Sequence, residues 1–107
     1  MIRLAASKMG ARLFRNDNGL GRRLRTDARF FYGLGVGTSD LIGWMPVEIT
    51  EAMVGSRVAV FVAFEVKRGS DRLSTEQRAF LRTVTEAGGR AAEIRSVEEA
   101  ENHLRRE

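Results

Sequence analysis

An acid and an amine stand two residues apart in Glu65-Val66-Lys67, and a lone aspartate, Asp40, follows a glycine-rich turn upstream. An extended strand alternates its side chains, so Glu65 and Lys67 share one face while Val66 points to the other. A hard divalent cation takes oxygen ligands, and a neighbouring ammonium orients a water or offsets charge growing on phosphate. The residue types therefore suit metal-dependent phosphodiester hydrolysis. They also suit a plainer assignment, an Asx-turn at Asp40 and a weak Glu65–Lys67 ion pair at a strand end. Spacing alone leaves both open, because carboxylate-x-lysine is short enough to arise by chance.

The elements that must hold these residues can be read from hydrophobic periodicity. Glu65 and Lys67 close the run RVAVFVAFEVK, residues 57–67, which is almost wholly apolar or β-branched. It is expected as a central strand buried on both faces. A polar loop, Arg68 to Arg72, follows. Ser74 then caps a helix reaching about Ala87, with Phe80, Leu81 and Val84 on its inner face and Gly88-Gly89 as the stop. Ala91 to Arg95 is a further strand, and Ser96 caps a last helix whose apolar strip is Val97, Ala100 and Leu104. Strand, helix, strand in that order implies a parallel pair joined by a crossover.

Upstream, residues 2–13 carry a loose helical stripe and lead into a short strand near Leu13–Arg15. Asn16-Asp17-Asn18-Gly19 is a turn, and residues 19–29, rich in arginine and poor in apolar pattern, read as a mobile basic loop. Arg29 to Tyr32 and Leu41 to Trp44 read as strands on either side of the Gly33–Gly37 stretch, and Val47 to Thr50 as one more. The fold class is α/β (α+β), a mixed central sheet of four or five strands flanked by helices. At 107 residues the chain is expected to be one domain, 1–107.

Composition narrows the partners. The net charge is +4, and the front of the chain is more basic than that figure suggests: residues 1–29 hold eight basic side chains against Asp17 and Asp27. Sixteen of the 18 basic residues are arginine, whose planar fork suits phosphate oxygens. Nucleic acid is the expected partner, with Arg22, Arg23 and Arg25 of the basic loop and Arg68, Arg72, Arg78 and Arg82 around the acid–lysine triplet as contacts. Arg78 and Arg82 fall one helical turn apart on one face. No apolar run approaches the ~20 residues a membrane span needs, so no membrane is expected. The start of the chain has no continuous apolar region of the signal-peptide kind, and the lack of cysteine fits a reducing cytoplasm.

Taken in order, GVGTSDLIGW, a hydrophobic strand ending FEVKRG, then LSTEQRAFL, a glycine stop and a short strand before IRSVEEA resemble the virus-type replication-repair nuclease (VRR-NUC) domain of the PD-(D/E)xK nuclease superfamily. The resemblance covers about residues 29–100. It implies a restriction-endonuclease-like core that cuts DNA with Mg²⁺ or Mn²⁺. Stand-alone members are typically homodimers similar to Holliday-junction resolvases, which implies structure-selective cutting of branched DNA in a bacterial or phage-infected cell.

Carried over by position, the resemblance makes Asp40 and Glu65 the metal-binding acids and Lys67 the motif lysine, with the carbonyl of Val66 completing the metal shell. Lys67 is then expected to orient or deprotonate a water attacking phosphorus in line. A glutamine follows in the helix, here Gln77, although Ser74-Thr75-Glu76-Gln77 also fits a capping box. The family pattern usually opens with a glutamate in the first helix, whereas no acid precedes Asp17 in this chain. Asp40 and Glu65 suffice, or Asp17 or Glu48 substitutes, or the sequence starts inside that helix. The alternative function is a DNA-binding module that keeps the fold without cutting.

Three remaining features point away from other chemistry. Gly35-x-Gly37 lacks the third glycine of a dinucleotide fingerprint. His103, the one histidine, belongs to an acidic helix and reads as a surface residue. Trp44 reads as core or interface rather than as a stacking platform.

Overall fold

The computed structural model describes residues 1–22 and 29–105. Among them are helices α1 (Ile2–Lys8), α2 (Thr75–Glu86) and α3 (Val97–Arg105) and strands β1 (Arg12–Arg15), β2 (Gly19–Arg22), β3 (Arg29–Tyr32), β4 (Leu41–Trp44), β5 (Val62–Val66) and β6 (Arg90–Ile94). The chain divides into two compact units, Met1–Met45 and Pro46–Glu107.

The α+β class is as expected, but the strands pair in twos: β1 with β4, β2 with β3, and β5 with β6. The expected sheet of four or five strands is replaced by these smaller ladders. The first two are antiparallel and the third is parallel.

In the first unit, α1 stops earlier than its apolar stripe suggests. Gly10 takes a φ of +88° and lets the chain reverse into β1. The side chain of Arg3 donates to the carbonyl of Leu13, tying helix to strand at 2.9 Å. In the β1–β4 ladder, Gly43 lies opposite Leu13, and a β-carbon there would collide with the carbonyl oxygen of Arg12. Phe14 and Trp44 lie on one face of this pair, ring centroids 5.4 Å apart. Trp44 is accordingly half-buried packing.

The expected basic loop at 19–29 is corrected in part. Its first four residues form β2, with Gly19 opposite Tyr32 and Arg22 opposite Arg29. The glycines that suggested a loop instead make room for a neighbour, since the ring of Tyr32 fills the space a side chain at Gly19 would need. Arg22 ends β2, while Arg23 and Arg25 lie outside the described residues.

The second unit is built on the parallel pair β5–β6, with α2 as its crossover, as expected from the order of elements. Side chains of Glu65 and Phe64 leave opposite faces of β5. Gln77 of α2 reaches Glu65, while the ring of Phe64 meets His103 of α3 at 6.1 Å between centroids. The two helices therefore cover opposite faces of the ladder. Val84 and Ile94 are the buried hydrophobic side chains among the described residues, Val84 the more deeply. Gly89 passes so close to Val84 and to the carbonyl of Phe61 that a β-carbon would lie 2.7 Å from one and 2.8 Å from the other.

Three expectations for this unit need correction. The central strand begins at Val62, not at Arg57, and Val62 and Val66 are exposed. A ladder extends only as far as its partner, and β6 has just five residues after the Gly88-Gly89 stop. Val47 to Thr50 pairs with no described strand and leads into a 3₁₀ turn at Glu51–Met53. His103 is half-buried against Phe64, not a surface residue. Arg90 donates to the carbonyls of His103 and Leu104, satisfying the last turn of α3 with a cation at its negative end.

Candidate active site

Glu65 and Lys67 stand at the C-terminal end of β5, on the face covered by α2. Strand alternation aims both the same way, and the backbone N–H of Lys67 continues the ladder by donating to Ile94 at 3.0 Å. The Lys67 ammonium lies 3.9 Å from Oε1 of Glu65, with the two side chains 16% and 36% exposed. The lysine is thus packed among its neighbours rather than fraying into water. At 3.9 Å the pair is a loose one, leaving the ammonium's protons free of a short bond to this carboxylate.

Gln77 arrives from the first turn of α2. Its backbone N–H donates to Ser74 Oγ at 3.0 Å, and its Oε1 accepts from the Ser74 N–H at 2.9 Å, which is the reciprocal capping box. Its Nε2 simultaneously donates to Oε1 of Glu65 at 2.9 Å. The cap and the carboxylate contact are therefore not alternatives. One amide performs both because its two ends have opposite hydrogen-bonding character.

Asp40 belongs to the first unit. It is exposed and immediately precedes β4, and its carbonyl accepts from the backbone N–H of Asn16 at 2.8 Å. Among the acids considered as substitutes, Asp17 pairs with Arg15 at 3.5 Å in an exposed position, and Glu48 is exposed in the segment before the 3₁₀ turn. No acid occurs in α1.

Glu93, which sequence analysis did not single out, lies directly opposite Glu65 in the parallel register and on the same face. Arg95 holds it with an ion pair of 2.6 Å. The same guanidinium donates to the carbonyl of Gly69 at 2.8 Å and to that of Asp71, so it fastens the loop after Lys67 to the end of β6. The register of a parallel pair was the signal that would have found Glu93. Arg68, Arg72, Arg78 and Arg82 are all exposed.

Among the described residues no group of three or more His, Cys, Asp or Glu side chains gathers into a metal cage. The available donors near Lys67 are carboxylate and carbonyl oxygens, the chemistry Mg²⁺ and Mn²⁺ accept, and Mg²⁺ commonly needs only one or two protein carboxylates because it keeps waters. Glu65 and the carbonyl of Val66 fit such an ion by donor type.

The model of the VRR-NUC domain matches residues 7–98. The chain belongs to the VRR-NUC family. The match takes in most of the described elements of both units, beginning earlier than the segment from which the resemblance was read. VRR-NUC domains are nuclease-type domains, and DNA is the substrate class this membership carries. No curated protein and no solved structure matches the chain. No helix of the described residues is long and apolar enough to cross a membrane.

Proposed function

We propose that this VRR-NUC protein is a divalent-metal-dependent DNA endonuclease, selective for branched DNA such as four-way junctions and acting as a homodimer in the cytoplasm. The observation that carries the reading is the Gln77 amide, which joins a helix cap to Glu65 beside a packed Lys67. A carboxylate held this way keeps one orientation, and a lysine held loosely beside it is ready to act on a third group.

Asp40, Glu65 and the Val66 carbonyl are the groups that would hold Mg²⁺ or Mn²⁺, with Asp40 assigned by its place in the family motif. When bound, such an ion lowers the pKa of a water and offsets charge on the phosphate. Lys67 would orient a water toward phosphorus as the ammonium or, as the neutral amine, would take its proton. Gln77 fixes the Glu65 carboxylate through Oε1, which keeps that side chain from swinging onto Lys67 as a closed ion pair. Arg68, Arg72, Arg78 and Arg82 grip the DNA backbone, sequence-independently, with Arg22, Arg23 and Arg25 adding to the basic surface.

Cleavage of a synthetic four-way junction in Mg²⁺ or Mn²⁺ tests the reading. Asp40→Ala and Lys67→Ala should abolish it, and Arg105→Ala should not. Failure to cut branched, flap, nicked and linear DNA with either ion overturns it. The absence of an acid from α1 favours a second reading, a DNA-binding module without hydrolysis. That module binds DNA in a salt-sensitive way and is indifferent to metal and to Asp40→Asn.

A further inference from the structure

Asn16 is the one buried polar residue among those described, 9% exposed, and every polar group of its side chain is used. Its Nδ2 donates to Thr38 Oγ1 and to the carbonyl of Ser39, both at 2.9 Å, and its Oδ1 accepts from the N–H of Leu34 at 3.0 Å. Its backbone N–H donates to the carbonyl of Asp40 at 2.8 Å. Asn18 repeats the pattern one step along: Nδ2 donates to Thr38 Oγ1 at 3.1 Å, and Oδ1 accepts from Gly35 at 2.7 Å. Thr38 Oγ1 is the hub, accepting from both asparagines and donating to the carbonyl of Gly35 at 2.6 Å.

The segment so held is Gly33 to Asp40, in which Gly33, Gly35 and Gly37 all have positive φ. Three such glycines give a backbone many accessible conformations, so unaided it would not hold a following side chain in one place. The asparagines supply side-chain bonds where no strand partner does, and they do so on the residues leading directly into Asp40.

We propose that Asn16, acting through Thr38, is a positioning residue that fixes Asp40 for metal binding. The inference rests on the nuclease reading above. It predicts that loosening the clamp weakens the hold on the cation without weakening the hold on DNA.

The test compares Thr38→Val, which removes the hub hydroxyl, with Thr38→Ser, which keeps it, and with Asn16→Ala. Mn²⁺ affinity is read by water-proton relaxation in the absence of DNA, junction affinity in EDTA, and cleavage as kcat and KM. Thr38→Val should weaken Mn²⁺ binding and lower kcat by roughly 10- to 100-fold, the usual range for groups that orient a metal ligand. KM and junction affinity should stay within about twofold in that comparison, and Thr38→Ser should match the wild type. Asn16→Ala should follow Thr38→Val; if its far-UV circular dichroism shows it unfolded, Thr38→Val decides. Wild-type Mn²⁺ affinity and kcat in Thr38→Val overturn the inference, as does an equal loss in Thr38→Ser or a loss confined to junction affinity. A wild type that binds Mn²⁺, loses that binding in Thr38→Val and cuts no DNA refutes the nuclease reading while leaving the clamp standing. A wild type that binds no Mn²⁺ refutes both.

Discussion

The side-chain amide of Gln77 donates to Glu65 at 2.9 Å while its own oxygen accepts from the backbone of Ser74 at the same distance. Helix cap and carboxylate are therefore joined by a single residue, and the orientation of α2 over β5 is recorded at the proposed reaction centre.

The two functions of Gln77 can be separated by substitution. Gln77→Glu keeps an oxygen for the Ser74 N–H but replaces the donor facing Glu65 with a second carboxylate oxygen. Unfolding by urea should show little change from the cap, whereas cleavage should fall by about 10- to 100-fold as Glu65 loses its fixed orientation. Gln77→Ala should cost about 1 kcal/mol of stability as well as activity.

Packing around Val84 predicts two stability losses. Val84→Ala deletes two buried methyl groups and should cost about 2 kcal/mol in urea titrations followed by circular dichroism. Gly89→Ala should also destabilise, because the added carbon meets backbone at Phe61 as well as the Val84 side chain, and backbone yields poorly.

Arg95 should act on the loop at 68–72. Arg95→Ala removes the bonds to Gly69, Asp71 and Glu93 together. Native-state hydrogen exchange should then quicken at the Asp71 amide, which donates to the carbonyl of Arg68 at 3.0 Å, while amides of β6 keep their protection. Unchanged exchange at Asp71 would show that Arg95 does not restrain the loop.

Arg78 and Arg82, exposed one turn apart on α2, should report phosphate contact through salt dependence. Anisotropy titrations in EDTA at several salt concentrations give the slope of log K against log[salt]. Each arginine that contacts a phosphate should lower the magnitude of that slope by about 0.9 when changed to alanine, whatever the DNA sequence. An unchanged slope would place these residues off the DNA.

Local signals account for what sequence made legible. Ser74 with Gln77 marked the start of α2, Gly88-Gly89 marked its end, and the short aromatic and apolar runs at Arg29–Tyr32 and Leu41–Trp44 marked β3 and β4 at their observed bounds. Long-range pairing explains most of the rest. Arg57 to Val60 has strand composition but belongs to no described strand, and Gly19 to Arg22 has loop composition yet pairs with β3. Asn16 and Asn18 looked like ordinary turn formers, yet their side chains reach residues 34–39, a contact that no local pattern encodes. At the candidate site, Glu65, Lys67 and Gln77 were legible from motif and spacing and do come together. Glu93 was not, because its position beside Glu65 depends on the register of a parallel ladder.

Single-turnover cleavage of a pre-bound, end-labelled four-way junction, started by adding Mg²⁺ or Mn²⁺, bears most directly on the central claim. The wild type should cut after metal addition and remain silent in EDTA. Glu65→Gln and Lys67→Met should bind the junction as the wild type does yet cut at least about 10²-fold more slowly, the scale expected when a proton-handling or charge-stabilising group is lost. Undiminished cutting by either variant, or no cutting by the wild type with either ion, would contradict the assignment of Glu65 and Lys67 as the reaction centre.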